Sequence, residues 1–467
     1  MNVLHTAIAP LQFMQSAMRS GTRYRNQMKR HTSIPAISTR GCRTTRSALA
    51  CFFCSALLAF AQTTVASEPE ASWPAPGTDA ESIRAWLLRE NPRLKAMLAE
   101  AKAAEARVFP AGSLPDPMLQ VTLRDIPVET ATFLPGNAGT TLYEFRQRLP
   151  LWGKRELARS AARAEADSML LQRDAEALEL LAEAEAAYVR YWHADATLRV
   201  IDRLIGLLQQ VEEIAGVRYA LGMAAQQDSI RAQVERSSMQ RDRIRLQTAR
   251  REAVSLLNAL LGRHAEAELA MPRNAPSLPV AVVDVESALD RLDRGEHPSI
   301  AAGMAFASMA SRNKALQMRN RYPDITVGVA PMQRGGRLDG YELMLEIEIP
   351  LQQRARRERE RESSLLEDAA ISRTEDVRVQ LQGRLAAFMS RWRNASVERR
   401  LIERTLLPQA EANYRSALAS YQVGEVDFGT LLDALREWQG ADRDLIDATR
   451  EELESAAMLR GLQGGFR

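Results

Sequence analysis

The sequence predicts a mainly α-helical chain with a small β part, arranged as two similar halves. Three observations lead there. No proline occurs between Gly153 and Pro272, and that stretch is rich in Ala, Leu, Glu and Arg, which favour helix. Short stretches elsewhere alternate apolar and polar residues with the period of a half-buried strand. Landmarks of one half then return, in order, in the other.

Residues 1–67 read as an export leader. They hold eight Lys or Arg and no acid, and "SALACFFCSALLAFA", Ser47 to Ala61, is an apolar run behind them. Small-residue cleavage sites follow at Ala59-Phe60-Ala61 or Val65-Ala66-Ser67, and Met18 and Met28 are alternative starts. The Arg-rich, acid-free character is shared with mitochondrial transit peptides; the apolar run favours export. All three cysteines (Cys42, Cys51, Cys54) lie in this leader, so the mature chain is read as free of thiols and disulfides. Cys51 and Cys54 sit within the apolar run instead of after it, which argues against lipidation. Formal charge is +3 for the whole chain; without the leader it is 54 basic against 59 acidic residues. That acidic remainder gives nucleic acid no electrostatic support.

The elements follow in order. Ser82–Val108 is read as helix, with strands near Met118–Arg124 and Thr140–Leu149. In "EFRQRLPLWGKRELARS", Glu144 to Ser160, the strand passes straight into a helix running from Lys154 to about Arg218. At ~1.5 Å per residue, such a helix spans on the order of 100 Å. Ile201, Leu204, Leu208 and Val211 recur at three-four spacing, the mark of a coiled-coil seam. In the second half, strands are read near Ile325–Met332 and Tyr341–Ile349. Tyr341, Leu343, Leu345, Ile347 and Ile349 share one face; Glu342, Glu346 and Glu348 share the other. The matching long helix runs from Arg354 to about Ser420, interrupted only by Pro408.

The halves correspond residue by residue. Asn91-Pro92 returns as His297-Pro298, and Pro115-Asp116 as Pro323-Asp324. "LPL" at Leu149–Leu151 returns as "IPL" at Ile349–Leu351, and Tyr188 and Trp192 as Phe388 and Trp392. "YALG", Tyr219 to Gly222, returns as "YQVG", Tyr421 to Gly424. This is read as an internal duplication, with residues 68–280 as the first repeat and 281–467 as the second.

Helices of this length make a rod, a bundle or a tube. Strands of about ten residues suit the thickness of a bilayer. Four cannot close a barrel, and open edges are not tolerated in lipid. Chains would therefore share one barrel: two would give eight strands, three would give twelve. Trp152 is then expected at the headgroup level, with Lys154 and Arg155 in water just beyond; a plain core role for Trp152 is the other reading.

At this point the sequence resembles the TolC-type outer-membrane efflux proteins. "LLPQAEANYRSALASYQVGEVDFGTLLDALRE", Leu406 to Glu437, is similar to the family's closing helix, turn and final helix. "RYALGMAAQQDSIRAQVE", Arg218 to Glu235, and "LLNALLGR", Leu256 to Arg263, resemble the same elements of the first half. "RLPLWGKRELA", Arg148 to Ala158, looks most like members serving heavy-metal and related cation pumps. The resemblance covers about Ser82 to Gly465.

The resemblance implies a homotrimer with a shared twelve-stranded barrel in the outer membrane, continued by a trimeric α-helical barrel in the periplasm. It implies a periplasmic adaptor (membrane fusion protein) and an inner-membrane RND pump as partners, with metal cations or drugs as substrates. It also implies a passive duct without cofactor or chemistry. Gly222 and Gly424 would turn the chain at the periplasmic tip, where reversal needs positive φ. Asp228 and Asp433 match acids that line the family's pore constriction. Thr430 replaces a further acid, for which Glu425 and Asp427 are substitutes. The alternative for these acids is a solvated place in the first turns of a helix.

Enzyme chemistry finds no support: there is no CxxC, HExxH or Gly-rich phosphate loop. His193, His264 and His297 are widely separated and are read as surface or packing residues. Met304, Met309 and Met318 are read as packing, and "RARRERERE", Arg354 to Glu362, as a solvated helix face. Two other readings stay open: a duct for type I protein secretion, and a periplasmic coiled-coil scaffold that would have no use for amphipathic strands.

Overall fold

The structure is a computed structural model that describes residues 75–126, 128–129, 133–137, 139–272, 274–278 and 285–464. The leader and its cysteines lie outside these residues, as does the expected boundary between the repeats near residue 280. The described residues belong to one compact unit, Trp73–Arg467.

The chain begins with α1 (Ala80–Glu90) and α2 (Pro92–Ala111), where one helix was expected. Pro92 is the reason. It cannot donate an amide and it pushes Asn91 out of the helical region, to φ −59, ψ 122. Asn91 turns this break into a cap: its Oδ1 accepts from the amides of Arg93 (2.8 Å) and Leu94 (3.2 Å), while Nδ2 donates to the Leu260 carbonyl at 2.7 Å. The second half repeats the device. His297 precedes Pro298, and its Nδ1 accepts from the Ser299 amide at 3.2 Å, opening α6 (Pro298–Arg319).

The strand pair β1 (Met118–Arg124) and β2 (Thr140–Leu149) lies where it was expected. Next come α3 (Lys154–Ala220) and α4 (Gln226–Leu260), then α5 (Val285–Asp293) and α6. Two more strands follow, β3 (Ile325–Arg334) and β4 (Arg337–Ile347). β4 starts four residues earlier than predicted, because Gly335 and Gly336 (φ 54 and 78) form a two-residue hairpin turn needing positive φ at both positions. It also ends before Ile349, which Pro350 draws out of the ladder.

The second long helix is interrupted ahead of Pro408. α7 (Gln353–Leu401) passes through a π-helical turn, Ile402–Leu406, into α8 (Leu407–Val423). A proline inside a helix removes one hydrogen bond and crowds the preceding turn; a wider turn relieves both. α9 (Phe428–Leu462) closes the chain.

α3, with 67 residues, is the spine, packed against α2, α4, α6 and α9. Its buried face carries many alanines around Tyr188 and Tyr191, so neighbouring helices approach closely. Three residues of the predicted seam, Leu204, Leu208 and Val211, are buried together with Val200 and Ala215 against Tyr414, Tyr421, Phe428, Leu431 and Leu435; Ile201 is buried but outside this cluster. The residues of "RARRERERE" are largely exposed, as expected, with Glu360 bound to Arg321. Met304 and Met318 are exposed in a single chain, contrary to the packing reading, while Met309 is half-buried.

His297 is buried, and burial is the main cause holding its imidazole below its usual range; a backbone hydrogen bond with Gly461 opposes this. A lowered folded value means the unfolded chain takes up the proton first. The stability His297 contributes is therefore full above about pH 6.5 and falls as pH drops below it. Protonation also removes the cap acceptor. His297→Asn, which copies Asn91, should keep the cap and flatten the dependence of melting temperature on pH between about 7 and 5. His297→Ala should cost about 1 kcal/mol. Circular dichroism melts across that range check both.

Candidate functional site

The four strands form one antiparallel sheet in the order β1-β2-β3-β4, with β1 and β4 as free edges. Register places apolar residues in rows across all four strands. Leu119 pairs with Phe145, Phe145 with Val329 and Val329 with Leu343. These four side chains are 68, 48, 41 and 81 % exposed, so one face of the sheet is apolar and uncovered. Tyr341, Leu345 and Ile347 extend it. The opposite face carries Gln120, Glu144, Arg146, Glu342 and Glu346, with Glu144 and Arg146 paired at 2.5 Å. An uncovered apolar face of this size marks contact with something other than water.

At the end of β2 the strand becomes a helix within four residues. Trp152 and Gly153 are both left-handed (φ 65 and 74), and together they redirect the chain into α3. The Trp152 conformation is held from outside. Its indole Nε1 donates to the Pro323 carbonyl at 2.8 Å, and its ring lies 5.1 Å from that of Tyr322. Half of Trp152 is still exposed, as an interfacial residue requires.

Lys154 is not in water, as the sequence reading had it. It is buried: its ammonium donates to the Tyr322 carbonyl (2.8 Å) and to Asp324 Oδ1 (2.7 Å), while Arg148 reaches Asp324 Oδ2 at 3.0 Å. A cation at the first position of a helix opposes the helix dipole, and Asp324 offsets it. Arg155 is half-buried and donates to the Gly112 carbonyl at 2.9 Å. These residues join the β2–β3 pair to the start of α3.

The opposite ends of the long helices hold the second cluster. Gly222 and Gly424 have φ 73 and 86, the backbone that was expected for each turn. Arg218 bridges the turns, donating to the Tyr421 carbonyl and to the Met223 carbonyl (3.1 Å), with its guanidinium 4.7 Å above the Tyr421 ring. Tyr421 Oη donates to Asp228 at 3.4 Å. Burial, and then the nearby Asp228 charge, push the Tyr421 hydroxyl up to about 12, so it remains a donor at any physiological pH.

Asp433 stands apart. Its side chain is 74 % exposed, and Arg436, held at 2.7 Å by Glu235, lies 3.5 Å away. Asp427 caps α9 by accepting from the Thr430 amide (2.7 Å) and hydroxyl (2.9 Å). Glu425 accepts from Ser420 Oγ at 3.3 Å. Sequence reasoning missed Arg218 and Arg436. Arg218 directly precedes "YALG", and Arg436 lies one turn beyond Asp433, so spacing along a helix could have found the second but not the first.

His193 bonds Asp447 at 2.6 Å, His264 lies near α4's end and His297 is the cap already described, so the three serve different elements. Among the described residues, no group of three or more His, Cys, Asp or Glu is placed to hold a metal ion. No described helix is long and apolar enough to cross a membrane.

Comparison with known proteins shows what this arrangement is similar to. The family described as "Outer membrane efflux protein" matches residues 86–263. Over those residues the chain is similar to that family. Its fold is that of solved outer-membrane channels. The Neisseria gonorrhoeae MtrE channel in its open state aligns with TM-score 0.71 at 17 % identity, covering 83 % of this chain and 89 % of that one. VceC from Vibrio cholerae aligns with TM-score 0.70 at 19 % identity (83 % and 97 % covered). CusC aligns with TM-score 0.70 at 16 % identity (86 % and 96 % covered). A search of curated proteins by sequence returns no match.

Gly222 has open space where a Cβ would go, so its requirement is purely conformational. Gly222→Ala should therefore destabilise the turn by about 1–2 kcal/mol. Limited proteolysis should show faster cleavage between residues 217 and 228 than in the parent protein.

Proposed function

We propose that three copies of this chain close a twelve-stranded barrel in the outer membrane and continue it as an α-helical tunnel through the periplasm. The observation that carries this is a four-stranded sheet with two free edges and one apolar face, joined directly to helices of 67 and 49 residues. Such a sheet satisfies its backbone in lipid only by joining other copies. The two halves, residues 68–280 and 281–467, are one duplicated unit, as the like roles of Asn91 and His297 support. The channel is passive. It receives substrates, metal cations or drugs, from a periplasmic adaptor and an inner-membrane RND pump, and releases them outside. The "RLPLWGKRELA" stretch favours this over the type I secretion reading.

The tip formed by the Gly222 and Gly424 turns is the periplasmic entrance. Asp228 and Asp433, three copies of each, give it a preference for cations by focusing potential in a narrow lumen. Arg436 weakens the contribution of Asp433, so Asp228 carries more of the preference.

Planar-bilayer recording tests the pore directly. Asp228→Asn should reduce cation preference more than Asp433→Asn does, and the double variant most of all. A double variant with unchanged preference would remove the acidic entrance. Outer-membrane fractionation and a heat-modifiable trimer on denaturing gels test the barrel; a detergent-free, monomeric soluble protein would contradict it. A deletion strain grown on graded zinc, cobalt, copper and antibiotics identifies the cargo class.

A further inference from the structure

The β2–β3 junction inside the chain is a template for the junction between copies. β2 ends where β3 begins, with Leu149 opposite Ile325. Just past that point Lys154, at the start of α3, is locked to Asp324, the residue before β3. The repeat supplies the same parts at the two free edges. Arg354 occupies the place of Lys154 five residues after Ile349, as Lys154 follows Leu149. Asp116 follows Pro115 before β1, as Asp324 follows Pro323 before β3.

Both residues are exposed, and among the described residues neither has an ion-pair partner. α7 opens with Gln353 and Arg354 and has no acid in its first turn. A cation there opposes the helix dipole and calls for an external carboxylate, as Lys154 does in α3. Within one chain Asp116 and Arg354 lie at opposite edges of the sheet, before β1 and after β4.

Register gives an independent check. Shifting β2 onto β4 by 200 positions and β3 onto β1 by 208 carries the pair Gln147–Val327 to Ile347–Leu119 and the pair Phe145–Val329 to Leu345–Val121. All four of the resulting residues are large, apolar and exposed. A shift of odd parity would instead have set charged residues into the apolar face.

We propose that β4 of one copy of this chain pairs with β1 of the next in that register, and that Arg354 of the first copy forms a salt bridge with Asp116 of the second. The pair closes the barrel seam at its periplasmic end and aligns α7 on the neighbouring subunit. This rests on the shared-barrel reading and adds the residues that make the joint.

Cysteine pairs test it in the full chain, whose own three cysteines lie in residues 1–67. In outer-membrane preparations of Asp116→Cys/Arg354→Cys, a short bismaleimide should yield covalent dimers and trimers, while each single variant runs as a monomer. Glutaraldehyde treatment of the same preparation separates two failures. Trimers trapped by glutaraldehyde but not by the bismaleimide overturn this joint alone; no trimer with either reagent overturns the shared barrel as well. Charge exchange gives a second readout. Asp116→Arg and Arg354→Asp should each lower the temperature at which the detergent-extracted trimer dissociates, and the exchanged double variant should recover most of that loss. A double variant no better than the sum of the singles would overturn the salt bridge.

Discussion

A strand edge carries a row of backbone donors and acceptors, and hydrocarbon offers them nothing. The remaining architecture follows from that constraint. β1 and β4 are unpaired in the single chain while the face between them is apolar, so neither water nor lipid suits the isolated sheet. In the proposed barrel, pairing with other copies would satisfy the edges and lipid the face. The helices then follow as a consequence of attachment: each hairpin's last strand feeds a long helix through a few residues, so the geometry at those corners sets where the helices go.

The first corner shows how closely this is controlled. Trp152 and Gly153 adopt a backbone that only glycine takes readily, and Trp152 is kept there by a hydrogen bond and a ring contact with the residues just before β3. Lys154 and Arg148 converge on Asp324, so the strand pair and the helix start share one ionic centre. The second corner lacks the tryptophan and the glycine, having Gln352 and Gln353 instead. The two corners share strand-to-helix topology but differ in these residues, which is what distinct neighbours, one within the chain and, in the proposed barrel, one outside it, would allow.

Away from the sheet the helices are held by a different balance. Alanine-rich faces let α3 lie close to four other helices, and the seam ends in aromatic packing near the turns, where Tyr421 meets Phe428 edge-on. The tip itself is polar. Arg218, Tyr421 and Asp228 tie the two turns together through single hydrogen bonds and a cation–ring contact, each weak compared with the buried seam. The proposed entrance would be well served by contacts of that kind at its end and by tight packing behind it.

Much of this was legible from residue order. Local rules decide strand alternation, helix extent and the positive-φ turns, so β1, β2, α3, Gly222 and Gly424 could be located without coordinates. Two local signals were passed over: the Asn91-Pro92 break and the Gly335-Gly336 hairpin turn. Residue order could not decide partners far apart in sequence. That Lys154 is buried on Asp324 instead of solvated, that Arg218 lies over Tyr421, and that Arg436 is held by Glu235 all depend on which helices and strands pack together. The sequence by itself determined the elements and the apolar face, because these follow from periodicity along the chain. Only tertiary structure decided the charge pairing, because an ion's partner is chosen by distance through space.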